Sequence, residues 1–237
     1  MTEKEKQQAG ELYDASDREL FTDRVKAKKL CSEFNSLEYN DFQKKERLID
    51  RIVALKGDNV TIESKFLCNY GYNIVIGNNF HADLNCVMID NAEITFGNNV
   101  FIGPNCCFCT AERPIDVETR NSGLERAKPI KVGNNVSFGS GVTVGAGVTI
   151  GNNVIIGPGS AVTKDIPSNC IALGNPCLPT KFFGETRHGS ADRMSVDAPE
   201  APQKKEAPAK PAGPRHIEVR RVDNPNNGGN GFPDKKK

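Results

Sequence analysis

A period of six residues runs through the middle of the chain and constrains its fold more than any other feature. From Val132 the sequence reads Val-Gly-Asn-Asn-Val-Ser, Phe-Gly-Ser-Gly-Val-Thr, Val-Gly-Ala-Gly-Val-Thr, Ile-Gly-Asn-Asn-Val-Ile and Ile-Gly-Pro-Gly-Ser-Ala. An apolar residue opens each step and glycine follows it. The same frame, broken by loops, recurs at 76–80, 96–100 and 102–106.

This period excludes two common structures. An amphipathic helix repeats every 3.6 residues and a half-buried strand every two, so neither produces a period of six. Short strands joined by tight turns, three to a coil and stacked as a solenoid, do produce it. Glycine and asparagine accept the positive φ of such turns. The sequence therefore predicts a mainly β fold, a left-handed parallel β-helix, over residues 61–183.

The segments on either side have different compositions. Residues 1–60 alternate charged residues with apolar ones at helical spacing, which predicts an N-terminal helical segment, and Ser16 and Asp17 are candidates to cap a helix before Leu20. Residues 184–237 contain half of the 14 prolines. Such a segment buries too little apolar surface to offset its ordering entropy, so we predict a disordered tail.

Bulk properties narrow the function classes. The net charge of +1 gives no electrostatic reason to expect nucleic acid as a partner. The chain has no long apolar run and starts with a hydrophilic stretch, so we expect no membrane partner and a cytoplasmic location. Of the eight cysteines, Cys86 and Cys106 stand where the repeat needs a small buried residue, and Cys106, Cys107 and Cys109 lack matching histidines. Reduced thiols and no metal are the expectation.

Motifs in order along residues 5–183 resemble the maltose and galactoside O-acetyltransferases, which are hexapeptide-repeat acyltransferases. Residues 9–13 (Ala-Gly-Glu-Leu-Tyr) resemble their helical opening, and 68–74 (Cys-Asn-Tyr-Gly-Tyr-Asn-Ile) resemble their entry into the prism. Residues 128–130 (Lys-Pro-Ile) and 162–167 (Val-Thr-Lys-Asp-Ile-Pro) are similar to the end of their loop and to their last coil. The resemblance implies a homotrimer that transfers acetyl directly from acetyl-CoA to a hydroxyl of a sugar or polyol, at a site between neighbouring subunits.

One departure from the family affects the chemistry. The family's catalytic histidine stands directly before the proline of the loop motif, and in this chain that position is Arg113. An arginine does not accept a proton near neutral pH, although it can stabilise an oxyanion. Loss of a general base typically costs about 10² to 10⁴ in rate.

Three interpretations of Arg113 are open at this level. The chain could be a catalytically weakened or inactive trimer that binds or scaffolds. Glu112, Asp116 or His81 could serve as the base. Arg113 could also be a variant of an otherwise active enzyme. Serine acetyltransferases and nucleotide-sugar N-acyltransferases fit less well, because those relatives lack the helical opening.

The resemblance also implies binding residues. Acceptor contacts fall on Asn69, Asp83 and Asn91, with Asp83 in place of the usual asparagine, and a further carboxylate comes from Asp14 or Asp17. Coenzyme A contacts fall on the following residues: Ser140, Pro158, Thr163, Lys164 and Lys181. Leu178 replaces an arginine of the exit motif, which weakens the expected phosphate contact.

Overall fold

Repeated six-residue steps produce a three-sided parallel β-helix in the computed structural model, which describes residues 1–184. Apart from Gly184, the predicted tail lies outside the described residues. The helices are α1 (Glu3–Gln8), α2 (Arg18–Asn35), α3 (Phe42–Ile52) and α4 (Val117–Asn121). The strands are β1 (Tyr13–Asp14), β2 (Leu55–Lys56), β3 (Val60–Ile62), β4 (Leu67–Cys68), β5 (Ile74–Ile76), β6 (Phe80–Ala82), β7 (Val87–Ile89), β8 (Ile94–Phe96), β9 (Val100–Ile102), β10 (Cys107–Cys109), β11 (Ala111–Glu112), β12 (Leu124–Ala127), β13 (Ile130–Val132), β14 (Val136–Phe138), β15 (Thr143–Val144), β16 (Thr149–Ile150), β17 (Val154–Ile156), β18 (Ala161–Val162), β19 (Cys170–Leu173) and β20 (Leu178–Phe182).

Three sheets form the sides of the prism. Face 1 contains β2, β5, β8, β13 and β16, and face 3 contains β4, β7, β10, β15 and β18. Face 2 contains β3, β6, β9, β14, β17 and β19, and β20 closes it as an antiparallel edge strand. Lys131 pairs with Thr149 and Thr143 with Ala161, each 18 residues further along the chain. Three six-residue steps therefore make one coil, and the predicted parallel β-helix is confirmed.

The Gly-Asn-Asn corners show why the repeat uses these residues. Asn79 lies at a φ of 55°, and its Nδ2 donates to Oδ1 of Asn99 in the next coil at 2.9 Å. The Asn98 side-chain oxygen accepts from the backbone N–H of Asn78 at 2.8 Å. A Cβ on Gly77 would lie 2.4 Å from the carbonyl oxygen of Gly97, so only glycine permits the coils to stack this closely.

Inward side chains stack from coil to coil inside the prism. Phe80, Phe96, Phe108 and Phe138 form a chain of ring contacts with centroids 5.1–5.2 Å apart, and all four are buried. Offset and edge-on ring pairs of this kind add to the stabilisation from burial. Cys86 and Cys106 are also buried with free thiols, as the repeat predicted.

The N-terminal segment covers the start of the prism. Asp17 is the N-cap of α2 and accepts from the N–H groups of Glu19 and Leu20 at 2.9 and 3.2 Å, as the sequence indicated. The first strand of the prism, β2, lies inside the segment 1–60 that the sequence assigned to helices. No helix within residues 1–184 has the length and apolarity needed to span a membrane.

One long loop interrupts the coils. Residues 110–129 leave the prism after β10 and return at β13, and they contain β11, α4 and β12. β12 pairs with β11 and, on its other side, with β1 of the N-terminal segment, so Tyr13 lies opposite Glu125. Cys107 still pairs with Thr143 across the interruption, 36 residues along, so the loop does not disturb the register.

Candidate active site

A cavity of about 360 Å³ lies where the long loop meets the N-terminal segment. Three of the residues proposed for catalysis from the sequence, Glu112, Arg113 and Asp116, line this cavity. The complete lining is Leu12, Glu112, Arg113, Pro114, Ile115, Asp116, Thr119, Arg126 and Lys128. Because the family's histidine position opens into a cavity, the site has room for a reactant beside Arg113.

Arg113 is held by a carboxylate that the sequence analysis did not single out. Its Nη2 lies 3.7 Å from Glu125 Oε2, and its Nη1 donates to the carbonyl oxygen of Gly123 at 3.3 Å. The Arg113 side chain is 58% exposed and that of Glu125 only 9%, so a buried carboxylate lies beside an accessible guanidinium. A guanidinium has five N–H donors, and most of those of Arg113 are free to meet a reactant.

A buried chain of side chains continues behind Glu125. Glu125 Oε1 accepts from the Tyr13 hydroxyl at 2.7 Å and from Asn91 Nδ2 at 3.0 Å. Asn91 Nδ2 also lies 2.8 Å from the Tyr13 hydroxyl oxygen, and Asn91 Oδ1 accepts from Asn69 Nδ2 at 2.8 Å. Burial raises the pKa of Tyr13 above its ordinary value, so this hydroxyl stays a neutral donor to Glu125. The network therefore joins Arg113 to two predicted acceptor contacts, Asn69 and Asn91.

Asp90 holds the corner that carries Asn69. Its carboxylate accepts three backbone N–H bonds, from Asn69 at 2.8 Å, Tyr70 at 2.9 Å and Gly71 at 2.6 Å. Burial raises the pKa of Asp90 to about 6, and the three N–H donors oppose that rise. The position of Asn69 thus depends on a titratable group that is fully buried.

The two loop carboxylates proposed as bases are already engaged. Glu112 Oε2 lies 2.6 Å from Lys128 Nζ in an exposed ion pair. Asp116 is the N-cap of α4, and its Oδ2 accepts from the N–H and the hydroxyl of Thr119 at 2.8 and 2.7 Å. These Thr119 contacts lower the pKa of Asp116. Both carboxylates therefore already form contacts with other residues of the loop.

His81, the other proposed base, lies on a different side of the prism. It belongs to β6 on face 2, where its ring stacks on Phe101 with centroids 5.0 Å apart and an interplanar angle of 7°. It is not among the residues that line the cavity at Arg113. A role in catalysis would require His81 to face the cavity of another subunit.

The remaining predicted acceptor contacts do not join the network. Asp14 lies next to Tyr13 in β1, but its Oδ1 accepts from the N–H and hydroxyl of the serine two residues on. Asp17 caps α2, and Asp83 Oδ1 accepts from the next backbone N–H at 2.6 Å. Of the five predicted contacts, the structure brings only Asn69 and Asn91 together.

The predicted coenzyme A contacts lie on the last coils. Ser140 and Pro158 occupy the corner between faces 2 and 3, Thr163 and Lys164 follow β18 at the next corner, and Lys181 lies in β20. All five side chains are exposed. Neither lysine forms an ion pair with a residue in the described part of the chain. Two free ammonium groups fit the phosphates of coenzyme A.

Tyr13 and Glu125 are the functional candidates that the sequence did not reveal. They are 112 residues apart and meet only because β1 pairs with β12. No local sequence pattern predicts a contact between residues so far apart in the chain. The sequence places Tyr13 in the helical opening, within the motif 9–13, whereas the structure places it in strand β1.

Comparison with known proteins agrees with this architecture. Residues 6–57 match the maltose acetyltransferase hexapeptide capping motif, and residues 129–164 match the six-repeat bacterial transferase hexapeptide model. A putative acetyltransferase of Saccharomyces cerevisiae is 47% identical over 169 residues, which cover 71% of this chain and 86% of that protein.

Two solved structures share the fold over most of their length. A maltose O-acetyltransferase from Clostridium difficile 630 is 43% identical with a TM-score of 0.76, covering 78% of this chain and 99% of its own. A galactoside acetyltransferase in complex with coenzyme A is 37% identical, also with a TM-score of 0.76, covering 83% and 99%. The capping motif, the six-residue coils and this level of identity establish that the chain is an acyltransferase of the maltose/galactoside O-acetyltransferase family.

Proposed function

We propose that this chain transfers an acetyl group from acetyl-CoA to a hydroxyl of a sugar or polyol, at sites formed between the subunits of a homotrimer. The observation that carries the proposal is the buried network of Asn69, Asn91, Tyr13 and Glu125, which ends at the accessible guanidinium of Arg113. The similarity to a galactoside acetyltransferase in complex with coenzyme A supports the choice of donor.

Arg113 supplies charge rather than proton transfer in this proposal. As the hydroxyl oxygen attacks the thioester carbonyl, negative charge develops on the carbonyl oxygen. The free N–H groups of Arg113 stabilise that oxyanion, and a fixed donor aimed at the developing charge is worth a large part of the barrier reduction. Glu125 limits the motion of the guanidinium because it lies 3.7 Å away beneath it.

Glu125 is also the proposed proton acceptor. Within residues 1–184, Glu125 is the one carboxylate that has an oxygen, Oε2, within 4 Å of the Arg113 guanidinium. Tyr13 and Asn91 hydrogen-bond to the other oxygen, Oε1, which leaves Oε2 facing Arg113. Oε2 would take the proton of the acceptor hydroxyl as the new ester bond forms. As the thioester C–S bond breaks, the carboxyl would return this proton to the sulfur, so that coenzyme A leaves as its thiol. A carboxylate is in general a weaker base than imidazole, so we expect slower turnover than in histidine-bearing relatives.

A second candidate is a β-helical trimer that binds ligands without turning them over. Arg113 favours this candidate, because the family's base position holds a side chain that does not accept a proton. The two candidates share the fold and the proposed coenzyme A contacts, so they differ only in acetyl transfer.

The test is coenzyme A release from acetyl-CoA in the presence of maltose, glucose, a galactoside or a polyol. Acceptor-dependent release, lowered strongly in Glu125→Gln and present in Glu112→Gln as the matched control, supports the transferase. If coenzyme A raises the melting temperature but no acceptor triggers release, the binding trimer is correct. Analytical ultracentrifugation tests the trimer separately, and a monomer in solution would contradict both candidates.

A further inference from the structure

A second cavity, of about 260 Å³, lies between the N-terminal helices and β3, and its lining shares no residue with the cavity at Arg113. Phe34, Ile49 and Ile62 are buried and form its apolar floor. Tyr39 and Phe42 form an aromatic wall, with ring centroids 6.0 Å apart, and they are 71% and 65% exposed. Two large aromatic side chains are thus left open to solvent above an apolar floor.

Lys45 is the polar group of this cavity. The residue is 8% exposed, and its side chain forms no hydrogen bond or ion pair with any residue among 1–184. Its Nζ lies 5.4 Å from the centroid of the Tyr39 ring, which is another wall of the cavity. The adjacent Lys44 is exposed and pairs with Asp41 at 3.0 Å. Of the two neighbours, the buried lysine is therefore the one that lacks an anion.

Most of the Lys45 side chain is buried, while its Nζ keeps contact with solvent. Partial burial removes some of the hydration of the ammonium group, and a cation–π contact with one ring replaces only part of it. An ammonium group has three donors. Because Lys45 lines the cavity and its Nζ donates to no residue in the described chain, these donors are available to a ligand there.

The acidic groups at the cavity define which anion fits. Glu46 lies 3.5 Å from Lys56 and is neutralised by it. Glu63 also lines the cavity, is half-buried and lies more than 4 Å from Lys45, since no ion pair joins them. Its negative charge disfavours a doubly charged anion such as phosphate. One cation beside one further carboxylate favours a ligand with a single negative charge.

We propose that this cavity binds a small monocarboxylate with an aromatic or other apolar body. The carboxylate pairs with Lys45, and the apolar body packs between the aromatic wall and the floor of Phe34, Ile49 and Ile62. The cavity is smaller than the roughly 300–1,000 Å³ of pockets for drug-sized ligands, which restricts the occupant to a compact molecule. The proposal is independent of the acetyl transfer proposed above.

The experiment uses the full chain and phenylacetate as the probe, with binding measured by isothermal titration calorimetry. Benzyl alcohol serves as the uncharged probe of similar size. We expect saturable binding of phenylacetate, at least tenfold weaker binding of benzyl alcohol, and at least tenfold loss of phenylacetate affinity in Lys45→Met. Lys44→Met is the matched control and should leave the affinity unchanged.

Folding of the variants is checked by circular dichroism and by stabilisation with coenzyme A, which reports on a different part of the chain. If Lys45→Met does not fold, Tyr39→Ala and the comparison of the two probes decide the question. Absence of saturable phenylacetate binding overturns the proposal, including the case in which a neighbouring subunit covers the cavity. Equal binding of both probes, or full affinity in Lys45→Met, overturns it as well.

Discussion

Replacing Asp90 with asparagine should remove a defined part of the pH dependence of stability. The Asp90 carboxylate is fully buried, and burial raises its pKa from 3.8 to about 6 in the folded protein. The folded state therefore binds this proton more tightly than the unfolded state does. The resulting stabilisation is complete below pH 4 and is lost as the pH rises through 6.

The magnitude follows from the size of the shift. Each pKa unit corresponds to about 1.4 kcal/mol, so the shift of Asp90 from 3.8 to about 6 corresponds to ~3 kcal/mol. Between pH 4 and pH 7 the free energy of unfolding of the wild type should fall by this amount relative to Asp90→Asn. The asparagine does not titrate, and it keeps one oxygen to accept backbone N–H bonds, so its own effect is independent of pH.

The assay is urea unfolding of both proteins at a series of pH values and one fixed protein concentration, because subunit association shifts apparent stability. Groups whose pKa is lowered on folding, such as Asp14 and Asp116, give slopes of opposite sign that cancel in the difference. A difference that is constant with pH would refute the reasoning. A wild type that gains stability relative to Asp90→Asn as the pH rises would mean that the three backbone donors outweigh burial.

Three further predictions concern the site and the coils. Arg113→His should lower acceptor-dependent coenzyme A release by about 10² to 10³, because it removes the guanidinium proposed to stabilise the oxyanion, and a rise in turnover would show that the site lacks a general base instead. Gly77→Ala should lower the free energy of unfolding by about 1–3 kcal/mol, because its Cβ would lie 2.4 Å from the Gly97 carbonyl oxygen. Gly145→Ala is the control, since its nearest neighbour would be at 3.5 Å, and equal melting temperatures for both variants would contradict the packing argument. Phe96→Ala should cost about 3–5 kcal/mol in thermal unfolding, and a loss under 1 kcal/mol would mean that its ring contacts contribute little.

The prism was predictable because its determinants are local. Each coil contacts its neighbours at a fixed offset, so the period of the sequence reports directly the period of the structure. Asn79 and Gly77 stand where the turns demand positive φ or close backbone approach. The N-terminal strand β1 was not predictable in this way, because its partner β12 lies more than 100 residues away and two residues are too few to show a pattern.

The candidate site was predictable only in part for the same reason. Arg113, Asn69 and Asn91 were found through motifs, and the structure joins them through Glu125 and Tyr13. Those two side chains have no distinguishing spacing, and their importance arises from burial and from a pairing that only the folded chain creates. The roles of the predicted catalytic and binding residues stay predictions until the variants are measured.

The unbroken register across residues 110–129 has a consequence for how such a chain can change. Cys107 pairs with Thr143 as regularly as Thr143 pairs with Ala161. The strand register of the solenoid therefore does not depend on which residues form the loop. The length, charge and shape of this loop can vary while the pairing of the stacked coils is kept. Under the proposed function, the acceptor preference could therefore change through this loop while the coils that carry the proposed coenzyme A contacts keep their structure.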